Sequence, residues 1–195
     1  MSGSIHALVG MTETKELIKK ICLLGDAAVG KTSLIRRYVY SSFDDKYITT
    51  IGTKVTKKSL VFKHPSQDMK VRISLLIWDI LGQKEYSRLH PVYYQGAEGG
   101  LVVSDATRPA TIKSLEEWAV GFQKTVGSVP LVFLINKVDL VDRDAFDLSE
   151  AQAIADKYNA RLYFTSAKTG ENVERSFLEL GNTLTYTFFK KINAI

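Results

Sequence analysis

The sequence predicts an α/β fold in which a six-stranded, mostly parallel sheet carries helices on both faces. Short apolar runs alternate with segments whose apolar residues recur at helical spacing, which is typical of parallel strands joined by helices. The first apolar run, 18–24, ends at a glycine-containing loop that a helix-compatible segment follows directly. A lysine-rich strand and its neighbour, separated by a short turn, indicate one antiparallel pair at the sheet edge.

The first half of the chain begins the sheet. Residues 18–24 are expected to form a buried central strand, because the run is apolar towards its end and stops at Gly25. The charges at Lys54, Lys57 and Lys58 favour an edge position for the next strand. The predicted elements are a strand at 18–24, a helix from 33 to about 41, a strand at 53–62, a turn at 64–68 and a strand at 71–79.

Strands and helices alternate through the second half. Pro109 suits the first turn of a helix whose apolar residues recur at helical spacing up to Val126. Asp147 and Glu150 have the spacing of a capping box and predict the start of another helix. The predicted elements are strands at 101–104, 131–135 and 162–164 and helices at 109–126, 147–158 and 173–184.

The composition is that of one globular domain. The chain has 195 residues, 45% of them hydrophobic and 24% charged, which is enough apolar material for a full core. We expect a flexible lead at 1–16, the domain at 17–190 and a short tail at 191–195. The net charge of +5 is scattered, so a nucleic-acid partner is not expected. Cys22 is the single cysteine, which excludes an internal disulfide and favours a reducing compartment.

Residues 25–32 fit Gly-x-x-x-x-Gly-Lys-Thr, the loop that cradles phosphates between a strand and a helix. Its glycines let the backbone wrap an anion with N–H groups, and the N-terminal end of the next helix favours negative charge. Lys31 adds a positive charge over the β- and γ-phosphates, and Thr32 offers a hydroxyl to Mg²⁺. A strand–helix turn without a ligand is the alternative. The expected nucleotide contacts are Asp26, Ala27, Ala28, Val29, Gly30, Lys31, Thr32 and Ser33.

The end of the third predicted strand suits a metal ion and a terminal phosphate. Ligands bind at the carboxyl ends of the strands in sheets of this kind. Asp79 stands at that end, and its carboxylate can hold Mg²⁺ through water. Gly82 follows it and can present its backbone N–H to a γ-phosphate. Mg²⁺ and the γ-phosphate of a nucleotide are therefore expected here.

The ends of the last two predicted strands indicate the base. Residues 136–139 read Asn-Lys-Val-Asp, and the Asp139 carboxylate can accept two hydrogen bonds, from guanine N1–H and from its amino group. Adenine would leave that carboxylate unpaired, which is costly. Residues 165–168 read Thr-Ser-Ala-Lys, and their backbone can meet guanine O6. The expected base contacts are Asn136, Lys137, Asp139, Ser166, Ala167 and Lys168.

These four motifs, in this order and each at a strand end, resemble those of the Ras-like small GTPases over roughly residues 19–184. Trp78 and the run 93–99, Tyr-Tyr-Gln-Gly-Ala-Glu-Gly, are most similar to the Rab subfamily. The resemblance implies a P-loop small G-protein fold, GTP and GDP as ligands, Mg²⁺ as cofactor and slow hydrolysis of GTP. It also implies effector, exchange-factor and GTPase-activating proteins as partners.

The resemblance implies roles for further residues. Phe43 would lie against the guanine ring, and Tyr47 would fold over the phosphates. Thr50 would ligate Mg²⁺ only when GTP is bound, completing a metal site with Thr32 and with Asp79 acting through water. The implied catalytic set is Gln83, which would orient the attacking water, with Lys31 and Thr50.

Two loops would therefore change between nucleotide states. The γ-phosphate would hold Thr50 and Gly82 and would order residues 42–52 and 80–95, and hydrolysis would release both loops. Partner proteins would read that difference. The sequence accordingly predicts a molecular switch of the signalling or trafficking type.

Three features of the sequence depart from the family pattern. Ala27 stands where Ras has glycine, and Ile80-Leu81 replaces the usual Thr-Ala before Gly82. Residues 51–55 lack the acidic residue and the phenylalanine that Rabs usually carry. A GTP-binding scaffold with little or no hydrolysis is therefore the alternative function. A P-loop nucleotide kinase is not favoured, because neither a second substrate pocket nor an arginine-rich lid is evident.

The remaining expectations concern the surface and the location. Arg36 and Arg37 are interpreted as surface residues, and Trp78, Tyr93 and Tyr94 as an exposed aromatic contact patch, with core packing as the alternative for Trp78. No run is as apolar and as long as a membrane span, and no secretory signal is evident. The sequence carries no C-terminal cysteine for a lipid anchor. We expect a cytoplasmic monomer, peripheral to a membrane only if a tail has been removed.

Overall fold

The structure, a computed structural model, describes residues 13–44, 52–63, 69–82, 89–143 and 146–193. Its elements are β1 (Glu13–Leu24), α1 (Lys31–Tyr40), β2 (Lys54–Lys63), β3 (Met69–Asp79), α2 (His90–Tyr94), β4 (Gly99–Asp105), α3 (Pro109–Val126), β5 (Leu131–Asn136), α4 (Ser149–Lys157), β6 (Arg161–Phe164) and α5 (Val173–Asn193), with a 3-10 turn at Val138–Leu140.

The six strands form one sheet in the order β2-β3-β1-β4-β5-β6. Only β2 and β3 pair antiparallel, and β1, β4, β5 and β6 run parallel to β3 through successive pairings. This confirms the predicted six-stranded, mostly parallel sheet and its antiparallel edge. The turn predicted at 64–68 lies outside the described residues.

A hydrophobic core lies on each face of the sheet. On one face, α3 and α4 bury side chains such as Leu115 and Phe122 against Phe133 of β5. On the other face, α1 and α5 pack on the sheet, and Tyr38 stacks on Phe177 with ring centroids 4.1 Å apart. Burying side chains of this size contributes about 1.5–3 kcal/mol each. These two layers fix where the strand ends and their loops lie.

The carboxyl ends of the parallel strands bring the four predicted motif loops to one edge of the sheet. The loops follow β1, β3, β5 and β6, and the loop after β4 lies between them in the strand order. Strand β5 is buried along its whole length because helices cover both faces, which explains its wholly apolar sequence up to Asn136. The candidate site therefore rests on rigid elements.

Several predicted boundaries are wrong. Strand β1 begins at Glu13, inside the predicted lead 1–16, because its backbone pairs with β3 from Met69 onwards. Helix α5 continues to Asn193, inside the predicted tail 191–195. Helix α4 begins at Ser149 without a side-chain cap, since the Asp147 carboxylate accepts the Ser149 N–H instead of closing a capping box. Within the described ranges, no helix is long and apolar enough to cross a membrane.

Candidate nucleotide site

The phosphate loop connects β1 to α1, as its sequence predicts. Gly30 has φ 100°, a conformation that suits glycine, and an added Cβ would collide with the Asn136 amide. Ala28 also has a left-handed backbone, with φ 63°, which is unfavourable for a residue with a Cβ. Helix α1 begins immediately afterwards at Lys31. The loop therefore ends against the N-terminal end of a helix, the arrangement that suits an anion.

The Lys31 side chain is buried inside this loop. It is 7% exposed, and its Nζ donates to the carbonyl oxygens of Gly25 at 2.6 Å and Asp26 at 2.8 Å. Burial lowers the pKa of Lys31 to about 8. A Cβ on Gly82 would collide with both the Lys31 ammonium and the Asp26 backbone, so only glycine fits there. The structure thus brings Lys31 and Gly82 together beside the phosphate loop.

Thr32 and Asp79 place two side-chain oxygen groups, a hydroxyl and a carboxylate, next to Lys31. The Thr32 hydroxyl donates to Asp79 Oδ2 at 2.5 Å. Asp79 is 3% exposed, and its Oδ1 has no hydrogen-bond partner among the described residues. Burial raises the pKa of Asp79, and the Thr32 hydrogen bond and the Lys31 charge oppose that rise. A buried, unpaired carboxylate oxygen beside a hydroxyl matches the hard ligands that Mg²⁺ prefers.

Asn136 ties three loops together. Its Nδ2 donates to the Val29 carbonyl in the phosphate loop at 2.9 Å. Its Oδ1 accepts from the Thr165 hydroxyl and from the Ala167 N–H, both at 3.2 Å. The residue is 1% exposed, so these hydrogen bonds satisfy a buried amide. The Asn136 side chain therefore acts as a brace between the phosphate loop and the two predicted base loops.

Asp139 and Ser166 meet at the edge of the site. The Ser166 hydroxyl donates to Asp139 Oδ1 at 2.6 Å and accepts the Thr169 N–H at 3.0 Å. Asp139 is exposed, so its carboxylate keeps the capacity to accept further hydrogen bonds. Lys137 has a left-handed backbone with φ 65°, which turns the chain between Asn136 and Asp139. The predicted base loops thus place the Asp139 carboxylate beside the 165–167 backbone, which hydrogen bonds to Asn136 hold in place.

Phe43 and Ser33 are the remaining described positions. Phe43 is half-buried and packs at the edge of the core under α1, with the Arg37 guanidinium 5.9 Å from its ring centroid. Ser33 lies in the first turn of α1 and is half-buried. Tyr47, Thr50 and Gln83 lie outside the described residues, so their predicted roles stay predictions.

Two arginines hold the loops and were not recognised from the sequence. Arg37, interpreted as a surface residue, is half-buried; its Nε donates to the Ala167 carbonyl at 2.7 Å and its Nη2 to the Lys168 carbonyl. Arg108, in the loop after β4, donates from Nη2 to the Ala27 carbonyl at 2.8 Å. The interpretation of Arg37 was therefore wrong. Both contacts join segments far apart in the chain, which no local pattern reveals.

The aromatic patch predicted from the sequence is only partly present. Tyr94 is 3% exposed and packs edge-on against Phe122, so its assignment to an exposed patch was wrong. Tyr93 and Trp78 are half-buried at the margin of the same core. The Lys20 ammonium lies 3.8 Å from the centroid of the Trp78 ring. Tyr94 is buried because it lies four residues after His90, on the same side of the short helix α2, and that side faces the core.

The fold and the four loops define a P-loop nucleotide-binding protein of the small G-protein type. The family model described as the Ras family matches residues 20–186. The chain belongs to the Ras family. It is 35% identical to the Ras-related protein Rab-21 of Mus musculus over 162 residues, covering 83% of this chain and 70% of that protein.

Other relatives point to the same subfamily. The chain is 36% identical to the GTP-binding protein ypt5 of Schizosaccharomyces pombe over 168 residues, covering 85% of this chain and 77% of that protein. It is 36% identical to the Ras-related protein Rab-21 of Dictyostelium discoideum over 171 residues, covering 87% of this chain and 77% of that protein. The protein is a Rab-like small GTPase, a GTP-binding switch that hydrolyses GTP.

His90 is a buried titratable group behind the site. It is 6% exposed, its ring donates to the Leu81 carbonyl, and its Nε2 has no partner among the described residues. Its ring lies 5.0 Å from Trp118, whose indole N–H donates to Asp26 Oδ1 in the phosphate loop. Burial lowers the pKa of His90 from its ordinary 6.5. His90 therefore binds a proton more readily in the unfolded chain than in the folded protein.

We expect the free energy of unfolding to fall as the pH drops below about 6.5. The contribution of a neutral His90 is fully present above that value and is lost as the pH falls through the lower pKa of the folded state, with a slope of at most about 1.4 kcal/mol per pH unit. Urea unfolding of the GDP-saturated protein at pH 7.5 and 5.5, with His90→Gln as control, measures this. An equal pH dependence in both proteins contradicts it.

Proposed function

We propose that the loops at 25–32, 80–82, 136–139 and 165–168 form one guanine-nucleotide site that holds GTP in one state and GDP in the other. The observation that carries this proposal is the buried Lys31 ammonium, which donates to the backbone carbonyls of Gly25 and Asp26 inside the phosphate loop. A buried cation is costly unless an anion neutralises it. The proposed phosphate contacts are Asp26, Ala27, Ala28, Val29, Gly30, Lys31, Thr32, Ser33 and Gly82.

The proposed base is guanine. Its N1–H and amino group would donate to the Asp139 carboxylate, which the Ser166 hydroxyl holds in place. The Ala167 and Lys168 backbone would face O6, and Arg37 supports that backbone by donating to both carbonyls. The Asn136 side chain holds this loop against the phosphate loop. Lys137, the next residue in the chain, is proposed as a further contact of the nucleotide, and Phe43 would lie against the guanine ring.

Mg²⁺ fits the described residues. Asp79 Oδ1, which has no hydrogen-bond partner in the part of the chain that the structure describes, and the adjoining Thr32 hydroxyl are oxygen ligands of the right type. Asp79 would act through water, and Thr50 would join them when GTP is present. When bound, the ion neutralises charge on the phosphate oxygens.

The proposed hydrolysis is slow. Gln83 would orient the attacking water, while Lys31 would stabilise charge on the transferring phosphoryl group and Thr50 would close over it. Arg108 reaches the phosphate loop, but two of its nitrogens are already engaged with Asp105 and Ala27. Without an arginine at the γ-phosphate, unassisted hydrolysis should proceed at roughly 10⁻⁴ to 10⁻³ per second.

The proposed setting follows from the family. Effector, exchange-factor and GTPase-activating proteins would act on residues 42–52 and 80–95, and the switch would serve membrane trafficking or signalling. The location would be the cytoplasm, with peripheral attachment to a membrane where a lipidated tail is present. A monomer without a nucleic-acid partner is the proposed working form.

The nucleotide content of the purified protein tests the assignment most simply. Denaturing the protein and separating the released nucleotide should yield GDP or GTP in about equal molar amount to protein, and no adenine nucleotide. Single-turnover hydrolysis of bound GTP then distinguishes a slow enzyme from the alternative, a scaffold that binds GTP without cleaving it. Equal competition by ATP and GTP contradicts the guanine assignment.

Ala27→Gly should raise the intrinsic rate of hydrolysis. The Ala27 methyl would sit where Gln83 approaches the transferring phosphoryl group, and a displacement of about 1 Å can cost on the order of 10²-fold. Single-turnover hydrolysis measures the rate, with GDP affinity as the control that should not change. A rate that stays the same or falls means that Ala27 is only a tolerated small residue.

A further inference from the structure

Asp105, the last residue of β4, is a buried carboxylate that two cations share. Its side chain is 1% exposed. Oδ1 accepts from the Thr107 N–H at 3.0 Å and the Thr107 hydroxyl at 2.7 Å, while Oδ2 accepts from Arg108 Nε at 2.9 Å and Lys137 Nζ at 2.7 Å. Burial alone would raise the pKa of Asp105, but the hydrogen bonds from Lys137, Thr107 and Arg108 lower it. The ionised carboxylate therefore fixes both cations.

The two cations lead to opposite ends of the nucleotide site. Lys137 belongs to the base loop after β5. Arg108, whose Nε donates to Asp105, donates from Nη2 to the Ala27 carbonyl of the phosphate loop at 2.8 Å. A planar guanidinium can make these two contacts at once because its donors lie in a rigid fork. Asp105 and Arg108 thus form a continuous polar link between the base loop and the phosphate loop.

The contact at the Ala27 carbonyl sets the direction of one backbone N–H. In a trans peptide the carbonyl and the following N–H point in opposite directions, and no described peptide bond is cis. Because the Ala27 carbonyl points to Arg108, the Ala28 N–H points away from it. Ala28 has a left-handed backbone, with φ 63°, that a residue with a Cβ adopts reluctantly. The Arg108 contact thus holds a peptide whose backbone conformation is unfavourable for alanine.

We propose that Arg108 is a positioning residue for the nucleotide, which holds the Ala27–Ala28 peptide so that the Ala28 N–H is directed at the β-phosphate. This inference rests on the proposed guanine-nucleotide site and names one of its supports. Arg108 does not touch the nucleotide itself. Its effect passes through the Ala27 carbonyl, and Asp105 couples it to Lys137 on the base side.

The link should control how long GDP stays bound. Loss of one hydrogen bond from a charged donor should loosen the peptide and speed GDP release roughly tenfold. Arg108→Gln removes the cation and shortens the side chain. Arg108→Lys keeps a positive charge beside Asp105, which protects the fold, but lacks the rigid fork. Arg72→Gln is the matched control, because Arg72 is 54% exposed against 42% for Arg108 and forms an ion pair with Glu16 near the amino ends of β1 and β3.

The experiment uses the full chain loaded with GDP. Release of labelled GDP into excess unlabelled GDP gives the rate, and the proton shift of the Ala28 amide in a ¹H–¹⁵N spectrum reports its hydrogen bond to phosphate. The internal reference is the Ala167 amide, whose N–H donates a hydrogen bond to Asn136 Oδ1. Both Arg108 variants should release GDP faster, more so for Arg108→Gln, and should move the Ala28 amide signal while the Ala167 signal stays. Arg72→Gln should behave as wild type.

Three results with protein that binds GDP overturn the inference. Unchanged release in the Arg108 variants does so directly. Faster release with an unmoved Ala28 amide means that Arg108 stabilises the fold without directing that N–H. Equal acceleration in Arg72→Gln means that the loss of any ion-paired surface arginine loosens the protein. Wild-type protein that fails to bind GDP overturns the proposed function as well, whereas tight wild-type binding with unaffected variants overturns this inference alone.

Discussion

Asp139→Ala should weaken GDP binding by about 3–5 kcal/mol, which is a loss of a hundredfold or more in affinity. The carboxylate is proposed to accept two N–H groups of guanine, and each hydrogen bond to a charged group is worth about 1.5–3 kcal/mol. The Ser166 hydroxyl that now donates to it at 2.6 Å would also lose its acceptor. Competition of labelled GDP by GDP, GTP and ATP measures the change.

Asp139→Asn tests whether residue 139 selects the base. An amide can donate one N–H where the carboxylate only accepts, so the variant should lose guanine and gain xanthine, which carries a carbonyl in place of the amino group. Asp156→Ala is the control, because Asp156 is exposed on α4, where it accepts from Gln152. If Asp139→Ala binds GDP as tightly as wild type, this loop does not read the base.

Gln83→Leu should slow intrinsic GTP hydrolysis by on the order of 10²-fold while leaving GDP affinity unchanged. Leucine has a similar size but can neither donate nor accept a hydrogen bond, so it cannot orient the attacking water. Single-turnover hydrolysis of bound GTP gives the rate, and GDP release gives the control on binding. Gln152→Leu, on the exposed side of α4, should hydrolyse GTP at the wild-type rate.

The result that contradicts this role is a hydrolysis rate in Gln83→Leu equal to that of wild type. Water would then be oriented by another group, and the alternative function would gain weight if the wild-type rate were itself negligible. A fall in GDP affinity along with the rate would mean that the substitution disturbs the phosphate loop through Gly82, which packs against Lys31.

The sheet was predictable where burial decides the sequence. Strand β5 reads as wholly apolar because both of its faces are covered, and its end at Asn136 follows from the first polar residue. The start of β1 was not predictable, because residues 13–16 are polar and are held by backbone pairing with β3. The exposed ion pair of Glu16 with Arg72, at 3.6 Å, shows that this stretch faces water.

The site was predictable where one loop carries its own chemistry. Thr32 and Asp79 belong to motifs whose residue types suit a metal ion with oxygen ligands. In the structure, the Thr32 hydroxyl oxygen lies 2.5 Å from Asp79 Oδ2. Arg37 and Arg108 were missed, because each acts on the backbone of a distant segment and shows no local spacing. Tyr94 was misassigned because an aromatic run on a short helix looks the same whether it faces solvent or the core.

Hydrogen exchange with the two nucleotides tests the central claim, a switch driven by the γ-phosphate, most directly. The amides of residues 42–52 should exchange more slowly with a non-hydrolysable GTP analogue than with GDP, since Thr50 is proposed to join the metal site only in the GTP state. The amides of β5 serve as the control and should exchange equally slowly in both. Thr50→Ala should remove the difference. Equal protection of residues 42–52 with both nucleotides in the wild-type protein contradicts the account.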